Sequence, residues 1–294
     1  MNRGYRELLG PGRLVLNIRG CPGPPTLRFE TAEQGLLLRQ GERPLLLGRT
    51  QDKGCCKDLA MHRLDGFRSP LPHLRSDAMR EGTDWTHQYA RWLEETADGP
   101  LHDGRWHITR RASFAPGIWT EDFVRDWPGG SLELYCGGGW HGVLPLRSLS
   151  PPDAPRVKAY RKHARDGTLA PVLLWWVTFL DGWLILDGHD RAMAALAEGA
   201  EPVCVELKPV ADEERWRATA DEITTAHGQH MARLDSCAPH PNLMHQRAAL
   251  ERGYADVIAS LPYDTAHTAS WALPGGAAAW DDLAARAMFQ FPRD

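Results

Sequence analysis

A chain of 294 residues is long enough for one large or two modest domains, and its 43% hydrophobic and 24% charged fractions are those of an ordinary globular protein. A net charge of −4 and a pI near 6.4 give no global attraction to a polyanion, which disfavours a dedicated nucleic-acid binder. The six cysteines are irregularly spaced, the polar N-terminus lacks the apolar core of a signal peptide, and the longest apolar run, residues 170–180, is too short for a bilayer. A cytoplasmic chain with reduced thiols and no membrane partner is expected.

Three textures follow one another along the chain. In residues 1–142, short apolar runs at 14–18, 35–38 and 44–47 are bounded by turn residues and predict strands. Residues 49–80 are charged and loop-like. A helix is expected over 84–96, where Trp85, Tyr89, Trp92 and Leu93 recur at helical spacing. Strands follow at 105–109 and 132–136, with a short helix at 121–127. This is an N-terminal α+β region with no assignable role.

Residues 143–210 are more regular. A short apolar stretch at 144–149 ends in the turn Ser150-Pro151-Pro152-Asp153. Residues 156–166 form a basic helix closed by Gly167. Residues 171–177 are continuously apolar, as in a strand buried on both faces. Asp181-Gly182 signals a hairpin, 183–186 the return strand, 187–190 a turn, 191–198 an Ala-rich helix stopped by Gly199, and 203–207 a last strand. Residues 211–294 are expected to be helical, over 212–227, 243–261 and 277–289.

Chemistry is concentrated at Asp187-Gly188-His189-Asp190-Arg191. An apolar strand leads into a tight turn and a helix begins directly after it, so unsatisfied amides and positive potential gather there. Gly188 lets backbone approach a ligand, and Arg191 supplies a planar fork for phosphate or carboxylate. His189 can donate to an anion or move a proton near neutral pH. Asp187 or Asp190 can act as a base or hold a metal ion. The structural alternative is that Asp187 and Gly188 only shape the turn and that Arg191 pairs with Asp187 or Glu198.

This block resembles the ParB/sulfiredoxin superfamily. Gly188, Arg191 and Ala194 fit the G-x-x-R-x-x-A pattern of ParB-type nucleotide-binding turns, and residues 167–172 fit the family's entry into the central strand. Asp187-Gly188-His189-x-Arg191 is similar to the D-G-H-T-R turn of ParB-like free serine kinases, where it contributes to the nucleotide and substrate-phosphate site. The resemblance covers about a quarter of the chain. Sulfiredoxins carry cysteine where this chain has His189, which argues against sulfinic-acid reduction. The kinases have threonine at the position of Asp190 and an upstream glutamate, for which residues 146–156 offer only Asp153. No helix-turn-helix is evident, and Asp212, Glu213, Glu214, Asp221, Asp281 and Asp282 disfavour contact with DNA phosphates.

The expected fold is therefore α+β: a ParB/sulfiredoxin-like module at 143–210 between an N-terminal α+β region, 1–142, and C-terminal helices, 211–294. The resemblance implies a nucleotide- or phosphate-binding protein, with ATP, ADP or CTP and Mg2+ as candidate cofactors. Gly188, His189 and Arg191 would bind the ligand. If the protein is a phosphotransferase or phosphohydrolase, Asp187, His189 and Asp190 are the candidate catalytic residues. The alternatives are a non-catalytic regulatory or partner-binding protein and, less favoured, a DNA-partitioning or nuclease-type protein.

Three other groups stand out. His227, His230, Cys237, His240 and His245 include two-residue gaps suited to Zn2+, although solvent-facing histidines are the commoner explanation. Cys55-Cys56 lies beside Lys53 and Lys57, and Cys136 and His141 flank a triple glycine, which serves equally as a linker.

Overall fold

Alternation of apolar side chains across two buried faces explains most of the architecture. The structure is a computed structural model that describes residues 6–8, 12–53, 56–75, 78–79, 82–115, 117–119, 131–134, 142–236 and 242–287. The fold is α+β. Two compact units are present, one made of residues 1–208 with 267–294 and the other of residues 209–266.

In the larger unit the order begins β1 (Arg6–Leu8), β2 (Arg13–Ile18), β3 (Leu27–Ala32), β4 (Gly35–Gln40), β5 (Arg43–Lys53), β6 (Cys56–Arg63) and α1 (Trp85–Glu95). It continues through β7 (Gly104–Arg111), β8 (Ser131–Leu134), β9 (Val143–Pro145), α2 (Pro155–Arg165), β10 (Val172–Val177), β11 (Gly182–Asp187), α3 (His189–Ala197) and β12 (Cys204–Val210). The smaller unit holds α4 (Glu213–Asp235) and α5 (Leu243–Ser260); β13 (Ser270–Ala272) and α6 (Gly276–Arg286) return to the larger one.

The strands form two sheets, β1-β2-β7-β12-β10-β11-β9 and β13-β3-β4-β5-β6-β8. Leu173, Trp175 and Val177 of β10 join a core shared with Leu14 and Leu16 of β2, Phe29 of β3 and Leu36 and Leu38 of β4. The intervening Val172 and Leu174 pack with Trp183, Ile185 and Ala192 on the opposite face. A strand buried on both sides has no polar face to show, which is why 171–177 is continuously apolar. The strands expected at 14–18, 35–38, 44–47 and 105–109 are all present.

Several expectations need correction. The charged stretch from 49 is not a loop: β5 and β6 form a long antiparallel hairpin with register Arg49↔Ala60 through Lys53↔Cys56. Cross-strand pairing overrides the loop-like composition there. Strand β3 lacks an obvious apolar run because it carries the buried Glu30, held by Arg28 at 2.7 Å and Arg39 at 3.2 Å. The change of texture near residue 142 is not a structural boundary, since β2 and β7 extend the sheet that contains β9–β12. Between β10 and β11 a 3-10 turn, Thr178–Leu180, lengthens the hairpin, and Asp181 takes a left-handed conformation at φ 44°. The helix expected over 121–127 lies outside the described residues.

Nor is the C-terminal region uniformly helical. β13 pairs in parallel with β3, and α6 packs on the outer face of the second sheet. There Trp280 is 2% exposed and its Nε1 donates to the Leu36 carbonyl at 2.9 Å. In the smaller unit, Asp212 caps α4 by accepting from Arg215 N. Antiparallel α4 and α5 meet through the stacked rings of His227 and Tyr254 and a Thr224–Tyr254 hydrogen bond. Among the described residues no helix is long and apolar enough to cross a membrane.

Trp280→Ala is expected to destabilise the larger unit by about 3–5 kcal/mol, because it opens a cavity and orphans an acceptor. Gly35→Ala, whose Cβ would fall 2.7 Å from the Trp280 ring, is expected to cost about 1–3 kcal/mol through overpacking. Chemical-denaturation midpoints of the full chain measure both.

Candidate functional site

β11 carries Asp187 out of the core, and Gly188 reverses the chain at φ 97° before α3 begins at His189. Helix α3 thus starts two residues earlier than the sequence pattern indicates, which places His189, Asp190 and Arg191 in its first turn. The carboxylate of Asp190 suits the positive end of the helix dipole. Gly188 has a steric role as well as a conformational one. A Cβ there would lie 2.7 Å from Arg191 Nη2, so the guanidinium folds back across the bare glycine.

That fold-back determines the fate of Arg191. The residue is 2% exposed, and its Nη2 donates to Asp187 Oδ2 at 2.7 Å, to the Pro171 carbonyl at 3.0 Å and towards Tyr89 Oη at 3.2 Å. Tyr89 donates to the same Pro171 carbonyl at 2.5 Å. Burial works against the Arg191 charge, but Tyr89 and Asp187 outweigh it and raise the pKa. Burial likewise raises the Tyr89 pKa and keeps the phenol protonated. Of the two acidic partners considered for Arg191, the structure selects Asp187. Glu198 instead pairs with Arg161 and Arg165 near the other end of α3.

His189 also points inward. It is 3% exposed, and its Nε2 accepts from Leu146 N at 3.1 Å. Burial lowers its pKa well below the usual histidine value, reinforced by Arg147, Arg63 and Arg191. The ring is therefore neutral, with the proton on Nδ1. Asp190 is 6% exposed; its Oδ1 accepts from Arg147 Nη2 and Ser150 Oγ, each at 2.8 Å, and Arg156 stands 3.6 Å from Oδ2. Burial pushes its pKa up, but Arg147 and Ser150 outweigh that and hold it below the ordinary aspartate value.

The turn therefore gathers the five proposed site residues in one place, with His189, Asp190 and Arg191 largely buried. None of the five lines the cavity of about 460 Å3 found at the entry to β10. What faces outward is a cationic corner, where the first turns of α2 and α3 converge and Arg147 and Arg156 share the single carboxylate of Asp190. Arg147, Ser150, Arg156 and Tyr89 were not marked by sequence. Arginines are commonly solvated, and a buried tyrosine at helical spacing reads as core. Asp153 is exposed in the turn before α2.

The residues present do not fit a resident divalent cation. Asp187 is committed to Arg191 and Asp190 to Arg147, and no group of three potential ligands occurs among the described residues. Of the histidine-rich group, His227 is stacked on Tyr254 and His230 is exposed, while Cys237 and His240 lie outside the described residues. So do Cys55 and the glycine-rich segment 136–141.

No family model, curated protein or solved structure matches this chain.

Two outcomes follow from this geometry. Arg191→Met is expected to cost about 3–5 kcal/mol of stability, because it leaves Asp187 as an unpaired, largely buried charge; combining it with Asp187→Leu should recover part of that loss in denaturant titrations. The lowered pKa of His189 means that the unfolded chain binds its proton more readily. Stability from this group is complete above about pH 6.5 and falls with pH by up to about 1.4 kcal/mol per pH unit until the folded value is reached. His107, pushed down to about 4 by burial, Lys208 and Arg13, contributes in the same direction. His189→Gln, which retains an acceptor for Leu146 N, should make the pH 4.5–6.5 stability profile shallower.

Proposed function

We propose that this chain is a ParB-like binding protein for a phosphorylated small molecule or a nucleotide, such as ATP, ADP or CTP, and that it binds without turnover. The observation that carries this reading is the pairing of Arg147 and Arg156 with one carboxylate, Asp190, where two helices begin. Two guanidinium groups, the Ser150 hydroxyl and two sets of first-turn amides suit a multivalent anion. Asp190 acts as the internal counter-ion that an incoming phosphate displaces from the arginines.

The non-catalytic part of the proposal rests on how the candidate catalytic residues are committed. A general base needs a lone pair that can reach the substrate. Asp187 is bonded to Arg191, His189 is buried with its Nε2 on Leu146, and Asp190 is held by Arg147 and Ser150. A nucleotide would have to bring its own Mg2+, since the site offers no fitting ligand set.

Calorimetric titration of the full chain with inorganic phosphate, ATP, ADP and CTP tests the reading. Arg147→Ala with Arg156→Ala is expected to weaken binding by more than about tenfold, since charge-assisted hydrogen bonds contribute roughly 1.5–3 kcal/mol each. Asp190→Asn is expected to tighten it. The proposal fails if neither the wild type nor Asp190→Asn binds any of the four, and its non-catalytic part fails if bound ATP or CTP is consumed.

A further inference from the structure

We propose that the cavity at the entry to β10 is a second binding site, for a small monocarboxylate carrying a flat apolar ring. It lies in the larger unit, where the first turn of α1, the β2–β7 pair and the α2–β10 connection meet. Its volume of about 460 Å3 falls within the roughly 300–1,000 Å3 usual for small-molecule sites.

The walls are built from committed backbone. Arg110 N donates to the Gly12 carbonyl at 2.8 Å, and the amides of Thr168 and Leu169 both donate to the His163 carbonyl. Thr168 Oγ1 meets His163 Nδ1 at 2.9 Å. Val172 N donates to Val203 O, while the Pro171 carbonyl is held by Tyr89 and Arg191. A cavity framed in this way is preformed and needs little ordering when a ligand enters.

Its chemistry is divided. Trp85, Leu169, Pro171 and Val203 supply an apolar side, with Trp85 packed against the Tyr89 ring at 5.7 Å. Two charged residues are among those that line it, Asp84 and Arg110. Asp84 is occupied as the cap of α1, accepting from His87 N at 3.1 Å. Arg110 is exposed and forms no ion pair among the described residues. One guanidinium matches one carboxylate in bidentate geometry. The nearby Asp84 carboxylate opposes a phosphate dianion, which separates this site from the Arg147–Arg156 corner in chemistry. Helix α2 separates them in space: Gly167, just past its end, lines the cavity, whereas Arg156 in its first turn reaches Asp190, about 16 Å away at 1.5 Å per residue.

Benzoate is the probe, benzamide its uncharged counterpart and inorganic phosphate the control, followed by ligand-observed NMR titration on the full chain. Benzoate is expected to bind at least about tenfold more tightly than benzamide, the advantage of one charge-assisted pair. Arg110→Gln, an exposed change that leaves the fold intact by circular dichroism, should reduce benzoate to the level of benzamide, while Arg147→Ala should leave benzoate binding unchanged. The inference is overturned if benzoate does not bind, if benzoate and benzamide bind alike, or if Arg110→Gln has no effect. It is also overturned if Arg147→Ala rather than Arg110→Gln abolishes benzoate binding, which would place the anion at the other corner. Failure of phosphate binding at Arg147 and Arg156 leaves this test untouched.

Discussion

The guanidinium of Arg191, laid across Gly188, is the interaction on which the surrounding structure depends. From one buried position it reaches Asp187 at the end of β11, the Pro171 carbonyl at the entry to β10 and Tyr89 on α1. A buried cation is costly unless it is paired and hydrogen-bonded. The three partners of its Nη2 come within reach only when strand, turn and helix are all in place, while the buried Nε has no hydrogen-bond partner among the described residues. The contact is feasible because Gly188 has no side chain and tolerates positive φ.

The next two side chains of the same helical turn extend this role. His189 fixes the segment after β9 through Leu146 N, and Asp190 fixes the following loop through Arg147 and Ser150. Three successive residues therefore tie the start of α3 to three different parts of the chain. A cluster of polar side chains that resembles catalytic machinery in sequence is here largely occupied in holding elements together. The outward consequence is electrostatic: arginines recruited to neutralise Asp190 leave a cationic corner at two helix starts.

The second sheet and α6 make the larger unit a layered body, not a small module with appendages. Strands from both ends of the chain enter the second sheet, and β2 and β7 extend the first. The rigid entry to β10, fixed by Arg191 and Tyr89, then forms one wall of the cavity beside Trp85 and Arg110. One buried network thus supports both the cationic corner and the cavity, although the two would recognise different anions.

The sequence by itself determined the local order of residues 143–210. Continuous apolar runs, the glycines at 167, 188 and 199, and an Ala-rich segment specify strand, turn and helix through short-range physics. Helix α1 and strands β2, β4 and β7 were legible for the same reason. Sequence could not reveal that charged residues 49–63 pair as strands, that β13 returns to β3, or that Glu30 is buried between two arginines. Those outcomes depend on partners distant along the chain. The site shows the same division. The five residues from Asp187 to Arg191 could be located by pattern, but their direction could not. Only the packing of α1, β9 and β10 around the turn decided that Arg191 and His189 face inward and that Arg147 and Arg156 face outward, because burial and pairing of a charge are properties of the assembled neighbourhood.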